Sequence, residues 1–271
     1  GGTNTITYDL FIGNRGGTGT YRLTAGTLTV GANIVDGTGT SNFYIDGLAS
    51  AYTLNVGGGK ITVDNFGVGQ GSEGEFIHAT GALAAKVEYI GYNSMGTFTQ
   101  TGGTNTVTRG TGADESFYLG YSSTGDGTYT LSGGSLEAIR QYIGDSGKGT
   151  FTQTDGTNTV TSGTGVIYIG NSASGTGTYT LELGSLATNY LRVGYYGSGT
   201  FDHSGGTVDV APTSTNTLHD LIVGSFAGSS GTYNLSGTGE LSARSEHIGG
   251  RASDTSGTAG TGVFNQGGGT N

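Results

Sequence analysis

Apolar and polar residues alternate along this chain in short runs, each closed by a glycine-containing turn. In residues 127–148, Thr128-Tyr129-Thr130-Leu131 places an apolar side chain at every second position, the period of a half-buried β-strand. Ser132-Gly133-Gly134 interrupts it, Ser135-Leu136-Glu137 opens a second short strand, and Gln141-Tyr142-Ile143 makes a third. Gly144-Asp145-Ser146-Gly147 then closes the unit. The pattern predicts three strands and three turns, and no helix longer than a turn or two.

The unit recurs. Gly-Thr-aromatic-Thr stands at 96–99, 127–130, 149–152 and 177–180, with looser copies around Tyr21, Tyr52, Phe76, Phe201, Tyr233 and Phe264. A period in the twenties to low thirties marks an array whose units bury an apolar face only by stacking on their neighbours. Aligning the units predicts three internal ladders. The first is aromatic, from Tyr21 to Phe264. The second is aliphatic: Ile6, Leu28, Ile61, Leu83, Val107, Leu136, Val160, Leu186, Val208 and Leu241. The third is an aliphatic residue before glycine, as in Ile12-Gly13, Val68-Gly69, Ile90-Gly91, Leu119-Gly120, Ile143-Gly144 and Ile169-Gly170. Tyr-x-Leu and Phe-x-Gln (or Phe-x-His) copies largely take turns from Phe76 to Tyr233. The fold expected is an all-β parallel β-helix, a β-solenoid of about ten rungs with three short strands per rung, forming one array over residues 1–271.

Composition sharpens this picture. Of 271 residues 58 are glycine, one is proline and none is cysteine. Glycine without period would suggest disorder. Here it keeps register with the apolar positions and reads as corners. The net charge of −10 is scattered, which argues against nucleic acid, whose phosphates need a basic stripe. No apolar run approaches the ~20 residues of a membrane span, so no membrane insertion is expected. No signal peptide is visible, since Gly1 already sits inside a repeat. Without cysteine there are no disulfides or thiolate metal sites.

The phrases Gly96-Thr97-Phe98-Thr99-Gln100-Thr101-Gly102-Gly103 and Gly127-Thr128-Tyr129-Thr130-Leu131-Ser132-Gly133-Gly134, followed by aliphatic-Gly pairs, resemble the β-strand repeats of large bacterial surface proteins, the autotransporter passengers and giant adhesins. The resemblance implies a right-handed β-helix, export, and a place at the cell surface.

Candidate chemistry is sparse. His78 and His203 fall in a column otherwise filled by Gln100, Gln153 and Gln266, so they read as substitutes in a polar ladder more readily than as acid-base catalysts. Asp202, His203, Asp209, His219 and Asp220, with Arg244, Glu246 and His247 one repeat on, are the most enzyme-like group, since polysaccharide-active β-helices place carboxylates and basic residues on one sheet face. Asp202 and His203 should nevertheless point to opposite faces. Gly125-Asp126-Gly127 and Gly144-Asp145-Ser146-Gly147 put carboxylates in turns, but without the nonapeptide pattern of calcium repeats. No catalytic, cofactor-binding or metal residue is assigned, and no cofactor.

Thr97/Thr99, Thr128/Thr130, Thr150/Thr152 and Thr178/Thr180 should form an outward grid of the kind ice-binding solenoids use, interrupted at Arg22, Glu75, Asp202 and Asn234. The function expected is structural: a non-enzymatic, rigid segment of an extracellular surface filament or adhesin. A polysaccharide-active enzyme and an ice-binding solenoid are the alternatives. Its expected partners are itself, by stacking, and surface glycans or neighbouring cell surfaces reached through exposed tyrosines. Residues 264–271 and 1–7 both map onto 98–108, so the terminal strand edges are expected to continue in register with a further rung, covalent or from a second subunit.

Overall fold

The computed structural model describes residues 3–23, 27–30, 32–36, 39–46, 59–108, 116–162, 165–210, 221–250 and 259–271. These residues form β-strands, turns and one 3-10 turn, Asn14–Gly16, with no α-helix among them. None forms a helix long and apolar enough to cross a membrane. The named strand pairings are parallel. Through the central region each strand pairs with the third strand before and after it in sequence, so that neighbours in space are one repeat apart.

Eight strands make the first sheet: Gly74–His78, Met95–Gln100, Asp126–Leu131, Lys148–Gln153, Thr176–Leu181, Ser198–His203, Ser230–Leu235 and Thr261–Gln266. Their register places Phe76, Phe98, Tyr129, Phe151, Tyr179, Phe201, Tyr233 and Phe264 opposite one another. From Phe98 onward successive rings stack 4.6–5.1 Å apart and within 17° of parallel, the spacing of neighbouring strands. Tyr129, Phe151, Tyr179 and Phe201 are fully buried, as the repeat alignment requires.

Most other strands join one larger, nearly closed sheet system. The long strands Lys60–Val68 and Ala82–Ile90 run through two of its faces, pairing with each other along their length. On one face Leu83, Asn105, Leu136, Asn158, Leu186, Val208 and Leu241 align. On the other, Val68, Ile90, Leu119, Ile143, Ile169, Val193, Val223 and Ile248 do, confirming most of the third ladder. The glycine after each aliphatic residue turns the corner. Gly144 has φ +71°, and a Cβ there would lie 2.1 Å from the Thr176 carbonyl oxygen. The turn is therefore closed to other residues on both counts.

Two expectations are corrected. Val107 and Val160 do not align with Leu136 and Leu186. They lie two residues further on, opposite Ala138 and Thr188, and Asn105 and Asn158 occupy the ladder instead. Ile6 shifts in the same way, opposite Val30, leaving Asn4 opposite Leu28. Residues i and i+2 both face inward in a strand, and a hydrophobic pattern chooses the valine over the asparagine. Tyr21 also leaves the first sheet. Its strand Gly19–Leu23 pairs with Ser41–Ile45 and then Lys60–Val68, so Tyr21, Phe43 and Phe66 head a column that continues into Glu88 and Phe117. Its aromatic-x-aliphatic alternation fits either sheet equally well. Tyr52 lies outside the described residues.

Candidate functional site

The alternation of Phe-x-Gln with Tyr-x-Leu has a hydrogen-bond explanation. A buried tyrosine hydroxyl needs a partner, and the glutamine of the preceding repeat provides it. Tyr179 donates to Gln153 Oε1 at 2.5 Å, while Gln153 Nε2 donates to the carbonyls of Gly156 and Ser185, both at 3.0 Å. Asn158 Nδ2 donates to the Tyr179 oxygen at 3.2 Å and to Gln141 Oε1 at 3.0 Å, and Gln141 Nε2 donates back to Asn158 Oδ1 at 2.6 Å. Tyr129, Gln100 and Asn105 repeat this arrangement two repeats earlier, with Glu88 in the place of Gln141. Burial raises the hydroxyl pKa of both tyrosines far above the ordinary 10.

His203 occupies the glutamine position of the next such unit. Its Nδ1 accepts from the Tyr233 hydroxyl at 2.9 Å, and its Nε2–H donates to the Gly206 carbonyl at 3.2 Å. Both bonds suit the neutral ring protonated on Nε2, and burial lowers the pKa accordingly. His78, also lowered by burial, reaches the Thr104 carbonyl at 3.1 Å. Both histidines are thus held in the interior as amide substitutes.

The enzyme-like group is dispersed. Asp202 faces outward on the first sheet and accepts from Asn234 Nδ2 at 2.7 Å, on the opposite face from His203. Asp209 lies on the second face, in register with Ala187 and Ser242. Glu246 and His247 belong to the strand paired with Leu221–Val223, and Asn271 Nδ2 reaches Glu246 at 3.3 Å. Arg244 lies in the short connection between the strands Glu240–Ala243 and Glu246–Ile248. His219, Asp220 and the excursion from Arg109 to Glu115 lie outside the described residues. Of the turn carboxylates, Asp126 accepts from Lys148 Nζ at 3.1 Å and Asp145 from Asn171 Nδ2 at 2.7 Å. No group of three or more His, Asp or Glu able to hold a metal occurs among the described residues.

Two outward surfaces are regular. On the first sheet, Thr97, Thr128, Thr150, Thr178, Thr200 and Thr232 form one column and Thr99, Thr130, Thr152 and Thr180 a second. The first column is two threonines longer than the sequence grid. The second continues as Asp202, Asn234 and Asn265, linked by amide hydrogen bonds of 2.7 and 2.8 Å.

The other surface is a row of tyrosines on the third face. Tyr89, Tyr118, Tyr142 and Tyr168 are in register, half-buried, and stacked at 5.2, 4.7 and 5.1 Å with interplanar angles of 9–12°. Tyr92 and Tyr121, in the following turns, stack on each other at 4.8 Å and meet the row edge-on at 5.0–5.2 Å. Further along, Tyr195 packs on Tyr168 at 4.6 Å, and Tyr196 stacks on Phe226 at 4.5 Å. Partial burial raises the phenols of Tyr89, Tyr118, Tyr121 and Tyr168, that of Tyr142 to about 12 and that of Tyr195 to about 12, so these six are neutral donors and acceptors at ordinary pH. Arg140 and Arg192 act on Tyr168 from either side, and burial raises the nearby Asp145 carboxyl. The row was legible as a motif, Tyr-aliphatic-Gly, at 89–91, 118–120, 142–144 and 168–170. Ring edges, phenol hydroxyls, guanidinium groups and a carboxyl together offer the contacts that polyhydroxylated ligands use.

Comparison with protein-family models, curated proteins and solved structures finds no match to this chain.

Proposed function

We propose that this chain is a rigid segment of an extracellular bacterial surface filament or adhesin, built as a right-handed parallel β-helix of about ten rungs. Its role is mechanical. Parallel strands bond along the axis, the ring column and aliphatic ladders exclude water, and the tyrosine row is presented to surface glycans or a neighbouring cell. The observation that supports this reading is the unbroken register of eight strands around one column of rings. Such register gives a shape that is long and stiff in one direction. Negative-stain imaging of the purified protein is the test. Rods with an axial length of roughly 50 Å, or multiples of it, are expected from about ten strand spacings. A compact particle of equal dimensions would overturn the reading.

A second reading has its own observation, the uninterrupted column of six threonines from Thr97 to Thr232 beside a column of four. Two straight hydroxyl-methyl rows at strand spacing could order water as ice does. Inhibition of ice recrystallisation by the purified protein, lost in Thr150→Lys, would favour it; absence of inhibition would end it.

A further inference from the structure

Two buried networks in this molecule share one design and differ in a single chemical group. Gln141, Asn158, Tyr179 and Gln153 form one. Glu88, Asn105, Tyr129 and Gln100 hold the same register positions two repeats earlier. In the first of these the amides of Gln141 and Asn158 pair reciprocally, each donating and each accepting. In the second, Asn105 Nδ2 donates to both Glu88 oxygens, at 3.0 and 3.3 Å, but Asn105 Oδ1 has no partner. Tyr129 spends its hydrogen on Gln100, so its oxygen accepts from Asn105 and fixes the orientation of that amide. By register Glu88 takes the place of Gln141, so a carboxyl oxygen replaces the amide nitrogen that gives Asn158 Oδ1 its donor. A carboxylate has no hydrogen to offer the partnerless Asn105 Oδ1, whereas a carboxylic acid carries the missing donor.

The surroundings favour the neutral form. Glu88 is fully buried, with Phe66 and Phe117 opposite it on the neighbouring strands. Across the interior it faces the Asn105 amide and the Tyr129 hydroxyl, itself kept protonated by burial. On its own strand and the one beside it, Lys86 and Asp64 pair with each other at 2.5 Å at the corner two residues back, and Lys60 stands at the exposed start of the neighbouring strand. No ion pair reaches Glu88 among the described residues.

We propose that Glu88 is a neutral carboxylic acid in the folded protein, donating its proton to Asn105 Oδ1, and that this proton is a pH-sensitive latch on the repeat carrying Tyr89 and Tyr118. The latch does not depend on what the outer face binds. Burial moves the carboxyl from the ordinary 4.5 to about 8. The folded state then holds a proton that the unfolded state releases, so stability falls as pH rises from about 4.5 to about 8 and is level on either side.

Chemical unfolding of the full chain across pH 4–9, wild type against Glu88→Gln and Gln141→Glu, tests this. Relative to Glu88→Gln, the wild-type unfolding constant is expected to rise about tenfold per pH unit inside that window. Gln141→Glu should add a second such dependence. The infrared spectrum at neutral pH should contain a protonated-carboxyl stretch that Glu88→Gln removes. A wild-type to Glu88→Gln ratio that is flat with pH, or no such band, would overturn the proposal. If Gln141→Glu does not fold, the first pair and the spectrum still decide.

Discussion

The protein carries two columns of stacked aromatic rings, one inside and one outside, built on the same strand spacing. From Phe98 to Phe264 the inner rings lie 4.6–5.1 Å apart; from Tyr89 to Tyr168 the outer rings lie 4.7–5.2 Å apart. Ring geometry therefore does not distinguish core from surface here, because parallel register stacks whatever stands at equivalent positions. What differs is the fate of the polar edge. Each fully buried tyrosine of the inner column has its hydroxyl bonded to a glutamine or histidine of the preceding repeat. The outer tyrosines keep theirs near solvent beside arginines and Asp145. The inner column spends its polar edges on the interior, and the outer one leaves them at the surface, where the proposed glycan contact would use them.

The sharpest break in that comparison comes from removing one inner ring. Phe151 is fully buried between Tyr129 and Tyr179. Phe151→Ala is expected to cost about 3–5 kcal/mol of unfolding free energy, since neighbours held by strand register collapse poorly into a cavity. Denaturant unfolding measures it, and a loss under 1 kcal/mol would mean that the column does not hold the fold.

Removing only the polar edge should cost less. Tyr179→Phe keeps the ring but leaves Gln153 Oε1 without its donor in the interior. A penalty of about 1–3 kcal/mol is expected. Gln153→Leu loses the same bond and also the two that Gln153 Nε2 donates to the Gly156 and Ser185 carbonyls, so the double variant Tyr179→Phe/Gln153→Leu should cost less than the sum of the two single variants. A strictly additive penalty would show that the hydroxyl is not the reason for the alternation.

The histidine in this ladder gives the comparison a pH dependence. Burial lowers the pKa of His203 from 6.5, so the unfolded state takes up a proton that the folded state refuses. Stability is therefore complete above about 6.5 and declines as pH falls below it, opposite in sign to the Glu88 effect. His203→Gln, which matches Gln153, should flatten that acid limb and leave stability at pH 8 within about 1 kcal/mol of wild type. An unchanged acid limb would place the proton uptake elsewhere, His78 being next.

How far the sequence reveals these features depends on what each residue's neighbours supply. The aromatic column and the aliphatic-Gly ladder are legible because single residues declare them: a large ring, or a glycine that only a left-handed corner requires, as at Gly144. The Thr columns are legible too, since alternation fixes their face. Asn105, Asn158 and Glu88 were not. A buried amide or acid looks like surface until its partners are known, and those partners come from separate strands of other repeats. Tyr21 was misplaced for a related reason, since one alternation pattern fits two sheets. The tyrosine row was present as Tyr-aliphatic-Gly, but its neighbours in the turns, Tyr92 and Tyr121, join it only through the fold.

The smallest effect on stability, and the largest on function, is expected on the outside. Tyr142 stacks between Tyr118 at 4.7 Å and Tyr168 at 5.1 Å and is half-buried. Tyr142→Ala should cost about 0.5–1.5 kcal/mol, the value of ring stacking without a buried cavity beneath it. If the row touches glycans, the same variant should lower retention on immobilised polysaccharide or adhesion to glycan-coated surfaces by about tenfold, a loss of roughly 1.4 kcal/mol. Tyr142→Phe separates the two contributions. It keeps the ring and removes the hydroxyl, so stability should stay at wild type while binding falls partway. A destabilisation as large as that of Phe151→Ala would make the outer row part of a packed interface. Unchanged binding in both variants would leave it a by-product of register, since stacking by itself needs no ligand to explain it.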